Sequence, residues 1–175
     1  MDTKNITLIG MPGAGKSTLG IVLAKKLGYR FVDTDLLIQE GCGMLLSELL
    51  ESRGIEGFID YENSVLSGLE CERHVIATGG SAVYGEQAME HLRSMGMVVF
   101  LDIGIDGLRQ RLNMDLLERG VVIREGNTLK DLLDERYPLY EHYADVTVKT
   151  DGMSTLEAVE ALYDAVVKEL RNNGN

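Results

Sequence analysis

Short apolar runs of strand length recur along the chain with helix-length segments between them: Ile6 to Ile9, Arg30 to Val32, Val75 to Thr78, Met97 to Leu101 and Val146 to Val148. Runs apolar on both faces suit strands of a parallel sheet covered by helices. The alternation therefore predicts a βαβ protein. The clearest helix is the last, where Leu156, Val159, Leu162, Tyr163, Val166, Val167 and Leu170 recur at spacings of three and four and Ser154 with Glu157 forms a capping box. A second runs from Ile55 to Leu69 with Gly54 just before it, and a third carries Leu19, Val22, Leu23 and Leu27. With no internal repeat and no linker long enough to divide it, the chain reads as a single domain over 1–175.

Composition narrows the partners. Lys and Arg number 17 against 28 Asp and Glu, a net charge of −11, and 45% of the 175 residues are hydrophobic. A polyanion is repelled at long range by such a balance, so no nucleic-acid partner is expected. No apolar stretch reaches the ~18 residues of a membrane span, and the opening MDTKNITLIG holds an apolar run too short for a secretory segment. Cys42 and Cys71 make no disulfide framework in a chain of this length. A cytoplasmic monomer working on a small molecule is expected.

Gly10 to Ser17 reads GMPGAGKS, a complete G-x-x-x-x-G-K-[ST], after a strand and before a helix. Glycines at 10, 13 and 15 let the backbone wrap phosphate and turn its N–H groups inward, and the helix N-terminus adds positive potential. Lys16 is placed to reach the β- and γ-phosphates and Ser17 to offer a hydroxyl to Mg²⁺. The loop alone leaves open whether the phosphoryl group goes to water, protein or small molecule.

The next strand ends in FVDTD. Two residues apart on an extended strand, Asp33 and Asp35 would share a face toward the phosphate loop, one near Mg²⁺ and the other accepting a hydroxyl proton; a solvated strand end is the alternative. TGGSAV after the third strand offers Gly79 and Gly80 either as an ordinary turn or as N–H donors to a substrate. Arg136 lies on a helix that Pro138 is expected to end or kink, and is either a surface ion-pair residue or a ligand for an anion. Between Arg111 and Leu129 a charge-alternating stretch with Gly120 and Gly126 reads as a solvated loop or a mobile lid, about 112–128.

In order, GMPGAGKSTLG, FVDTD, ATGGSAV, VVFLD, an arginine before a short lid and LLDERYPLYEHYAD resemble the shikimate kinase family over nearly the whole chain. The resemblance implies an α/β P-loop fold of nucleoside-monophosphate-kinase type with a five-stranded parallel sheet, ATP and Mg²⁺ as cofactors, and γ-phosphoryl transfer to a small hydroxy acid. It implies a nucleotide site at Gly13, Ala14, Gly15, Lys16, Ser17, Thr18 and the adenine-stacking Arg111. Metal ligation falls to Ser17 and Asp33, and the acceptor to Asp35, Gly79, Gly80 and Arg136, within a helical segment about 34–62 and beyond. Lys16, Asp35 and the lid's Arg119 are implied as catalytic.

The departures fall on the acceptor side. The family's G-E-x-x-F-R-x-x-E stands here as GIEGFIDYE, keeping Phe58 and Glu62 and placing Ile59 where an arginine is expected. An alkyl chain cannot replace a bidentate guanidinium, which leaves Arg136 as the assignable cation for an acceptor carboxylate. Ser81 replaces a third glycine, and the lid reads RGVV, with Arg124 a second arginine for the phosphate. With Asp60 and Glu62 nearby, a smaller acceptor bearing an ammonium beside its carboxylate, such as homoserine, is an alternative to shikimate. A P-loop module that binds ATP without catalysis is the other; no N-K-x-D motif supports a GTPase switch.

Overall fold

The computed structural model describes residues 4–112 and 121–172. β1 (Asn5–Ile9) is buried at every position, as a central strand must be, and passes through the glycine loop into α1 (Lys16–Leu27). β2 (Arg30–Asp33), α2 (Thr34–Cys42) and α3 (Leu46–Ser67) follow, then β3 (His74–Ala77), a 3₁₀ turn over Ala82–Tyr84, α4 (Glu86–Met95) and β4 (Gly96–Asp102). The chain continues through α5 (Ile105–Arg111), α6 (Leu129–Tyr143), β5 (Val146–Lys149) and α7 (Thr155–Asn172).

Among the described residues the strands form one five-stranded sheet in the order β2-β3-β1-β4-β5, parallel throughout. The chain leaves β1 toward one edge and, after β3, continues on the other side of β1. Strand order thus reverses around β1, and the crevice at its carboxyl end is where open α/β sheets take ligands. Ile6, Leu8, Ile76, Val98 and Phe100 are fully or almost fully buried, with α1 packed on α7 and α3 on α4. No helix among the described residues is long and apolar enough to cross a membrane.

Four sequence expectations need adjustment. Helix α3 begins before Gly54 and runs through it with a kink, Gly54 taking φ 68°, a conformation that costs glycine little. Pro138 does not end α6, which continues to Tyr143. Burial of Tyr140 and Tyr143, and stacking of Tyr140 on Phe100 at 5.0 Å, offset the one lost backbone hydrogen bond. Val22 on α1 and Leu156 on α7 are exposed rather than core; the first turn of α7 borders the cleft, where Thr155 and Ala158 line it.

Candidate active site

The glycine loop wraps the end of β1 as its sequence requires. Gly13 and Gly15 take φ 81° and 97°, and Gly15 caps α1. Lys16, 7% exposed, folds back so that its Nζ donates to the carbonyls of Gly10 (2.7 Å) and Met11 (2.8 Å). Burial lowers its pKa to about 8 against the opposing pull of Asp35. Ser17 and Thr18 are exposed at the mouth, and Ser17 Oγ donates to Asp33 Oδ2 at 2.6 Å.

The two aspartates converge on the loop, but not as neighbours on a strand. Asp33 ends β2 and caps α2, its Oδ1 accepting from the Asp35 backbone N–H at 3.0 Å, while Asp35 sits in the first helical turn. The strand-face expectation is thereby corrected: the turn into α2, rather than the pleat, aims Asp35 into the cleft. Burial raises the Asp35 pKa to about 6, with repulsion from Asp33 adding to it and Lys16 opposing. That is the range in which a carboxylate serves as a base near neutrality.

At the far end of the cleft stands Arg136, 1% exposed and so no surface ion-pair residue. Its Nε donates to Tyr84 Oη (3.1 Å), its Nη2 donates to the carbonyl of Val122, and its Nη1 lies with Pro12 against the bare face of Gly80, 2.9 Å from where a Cβ would begin. Tyr140 Oη, one helical turn on, donates to the Gly80 carbonyl at 2.7 Å. These tyrosines were not picked out by sequence; the spacing of Arg136 and Tyr140, four apart on one helix face, was the available signal.

The altered positions meet at Glu62. Phe58, Glu62 and Leu66 form one buried row along α3, with the carboxylate in its middle. Ser81 Oγ donates to Glu62 Oε2 at 2.6 Å, while Oε1 is buried with no partner among the described residues. Ile59, the next residue round the helix from Phe58, is half-buried against the core. Burial pushes the Glu62 pKa up to about 7; the Ser81 bond and Arg136 pull it down, Asp35 pushes it further up.

A stability test follows. An acid whose folded pKa lies above its unfolded value destabilises the native state increasingly as pH rises from the unfolded value, 4.5, through about 7. Glu62→Gln should therefore be more stable than the parent at pH 8 by roughly 3 kcal/mol, with the gap closing toward pH 4.5. Urea denaturation at both pH values checks it; an equal or less stable variant at pH 8 refutes it.

A cavity of about 600 Å³ joins these groups, bordered by Lys16, Ser17 and Arg111 at one end and by Asp35, Gly79 and Arg136 at the other, with Leu46 and Phe58 as an apolar wall. Arg111 Nη1 donates to the Ala14 carbonyl at 3.1 Å, which brings this arginine to the phosphate loop. Arg124 does not enter the cleft: it is exposed and paired with Glu56 at 3.4 Å, so its assignment to the phosphate is corrected. Arg119 lies outside the described residues. On the described part of the lid, Val121 and Val122 are buried over Arg136.

A phosphate loop at the switch point of a parallel sheet, with an aspartate and a buried arginine across one cavity, defines a P-loop kinase acting on small molecules. The family model for shikimate kinase matches residues 12–170. The chain is 37% identical over 170 residues to the shikimate kinase of Francisella tularensis subsp. holarctica, covering 95% of this chain and 97% of that one. It is 39% identical over 157 residues to that of Vibrio parahaemolyticus, covering 87% and 90%. The structure resembles shikimate kinase from Acinetobacter baumannii in complex with shikimate, with TM-score 0.79 and 29% identity over 95% and 94% of the two chains. This chain belongs to the shikimate kinase family.

Proposed function

We propose that the protein transfers the γ-phosphoryl group of ATP to a hydroxyl of a small carboxylate-bearing metabolite. The observation that carries this reading is that Lys16 and Ser17, which suit a nucleotide, share one cavity with Asp35 and Arg136, which suit a hydroxy acid. The likeness to a kinase bound to shikimate supports the acceptor class.

Each residue has a task in this scheme. Gly13, Ala14, Gly15 and Thr18 hold the phosphates through the loop and the α1 N-terminus, and Arg111 flanks the adenine. Lys16 exchanges its two loop carbonyls for phosphate oxygens and gathers the charge of the transferring group. Asp35 orients the acceptor hydroxyl and takes its proton, while Arg136 receives the acceptor carboxylate beside Gly79 and Gly80. Ser17 and Asp33, a hydroxyl and a carboxylate 2.6 Å apart, are hard oxygen donors of the kind Mg²⁺ prefers. No cluster of three acidic or His/Cys ligands exists among the described residues, which fits an ion completed by water and phosphate. When bound, Mg²⁺ offsets phosphate charge. We place this work in the cytoplasm, by a monomer.

An ADP-release assay tests the reading. ADP should appear only when ATP and a hydroxy acid are both supplied. Binding of ATP with no acceptor-dependent turnover across a broad acceptor panel would instead identify a binding module.

A further inference from the structure

We infer that the acceptor is zwitterionic: its carboxylate sits on Arg136 and its ammonium faces the carboxylates of Asp35 and Glu62 beside Gly79. This rests on the kinase reading and narrows its substrate class to α-amino hydroxy acids.

The starting observation is a buried carboxylate with no directly paired cation among the described residues; Arg136 and Lys16 act on it only from a distance. Glu62 is 2% exposed, and among the described residues no ion pair involves it. Among the described residues its only hydrogen bond comes from Ser81, a neutral hydroxyl that satisfies one oxygen without offsetting its charge. The other oxygen has no partner among those residues. A buried carboxylate in this condition is costly, and native proteins retain such groups where something else supplies the missing charge.

That oxygen has a direction. A Cβ at Gly79 would begin 2.7 Å from Glu62 Oε1 and 2.9 Å from Asp35 Oδ1, so both carboxylates converge on the bare side of this glycine. Gly79, Ser81 and Asp35 border the cavity. Asp35 Oδ1, on the cavity wall, makes the direct contact with the ammonium and leaves Oδ2 for the acceptor hydroxyl, while Glu62, which does not line the cavity, acts through its charge from behind Gly79. Any side chain at 79 would separate the pair, which gives the glycine a steric reason beyond its turn.

The charge balance at this end of the cavity selects the ligand. Lys16 and Arg136 are the cations acting there; Lys16 serves the nucleotide phosphates in the kinase scheme, which leaves Arg136, on the cavity wall, for one carboxylate. A hydroxy acid without an ammonium takes up the charge of Arg136, as the nucleotide takes up that of Lys16, and so removes the two cations that act on the facing carboxylates without replacing them. A water molecule would fill a hydrogen-bonding position without supplying charge. An ammonium supplies the charge and its donors together.

Matched acceptors test this on the full-length enzyme with ATP. L-serine, L-homoserine and L-5-hydroxynorvaline are each compared with the deaminated acid, 3-hydroxypropionate, 4-hydroxybutyrate and 5-hydroxyvalerate, with shikimate alongside. At least one amino acid should exceed its deaminated partner, and shikimate, by about 30-fold or more in kcat/KM. Glu62→Gln should shrink that preference about 10-fold or more, with ATP affinity measured in parallel as the check on folding. Glu62→Asp, which keeps the charge, should retain more of the preference than Glu62→Gln. Phosphorylation of shikimate or a deaminated acid at least as efficient as that of every amino acid would overturn the inference and leave the kinase reading standing. A preference unmoved by Glu62→Gln would overturn it as well. Absence of acceptor-dependent ADP release with all seven compounds would overturn both.

Discussion

Lys16→Met should abolish measurable turnover, a loss of at least about 10³-fold in kcat, while the protein stays folded. The side chain is already buried in the cleft and held by two loop carbonyls, so its ammonium stands where phosphate charge will collect and needs little rearrangement to meet it. Burial depresses its pKa to about 8, which means that the fold disfavours the charged form in the absence of a ligand. Removing the charge should therefore leave the thermal midpoint unchanged or raise it. Thermal denaturation beside the ADP-release assay separates the two effects. More than a tenth of the parent kcat in the variant would remove Lys16 from the chemistry.

Asp35→Asn should lower kcat by about 10²- to 10⁴-fold while ATP affinity stays within about threefold. Asparagine keeps the shape and can still hydrogen-bond a hydroxyl, but it cannot accept the proton. Ser17 and Asp33, the groups nearest the expected metal, bond to each other and not to the Asp35 side chain, which acts on the nucleotide end only through its charge beside Lys16. Titration with a fluorescent ATP analogue measures affinity, and initial rates measure kcat. A parallel loss of both would assign Asp35 to the nucleotide instead of the acceptor.

Local spacing carried much of this site into view. The phosphate loop was legible because its glycines, Lys16 and Ser17 are contiguous and lie between an apolar run and a helix. β1, β3 and β4 were legible because burial on both faces writes continuous apolar runs, while the edge strands β2 and β5, only partly buried, were legible from shorter ones. Asp33 and Asp35 were read with the wrong local geometry: FVDTD does not reveal that the helix begins at Thr34. Pro138 misled because proline's local cost is visible in sequence, whereas the packing of Tyr140 on Phe100 is not. Arg124 looked like a cleft residue by proximity to the lid, yet Glu56, far away in sequence, takes it. The same limit hid the Ser81–Glu62 bond and the Val122 carbonyl on Arg136. Those contacts join different elements, and no residue spacing encodes them.

The order of β2-β3-β1-β4-β5 also divides the labour of the chain. The phosphate loop and the nearby Arg111 and α7 come from one set of segments, while Leu46, Phe58, Glu62 and Arg136 come from α3 and α6. The kink at Gly54 further sets off the half of α3 that carries Phe58 and Glu62. On the proposed reading of the site, substitutions in that half redirect the choice of acceptor without disturbing the handling of the nucleotide. A lineage can thus exchange one metabolite for another through a few positions, and percentage identity, which weighs every residue alike, will scarcely register the exchange.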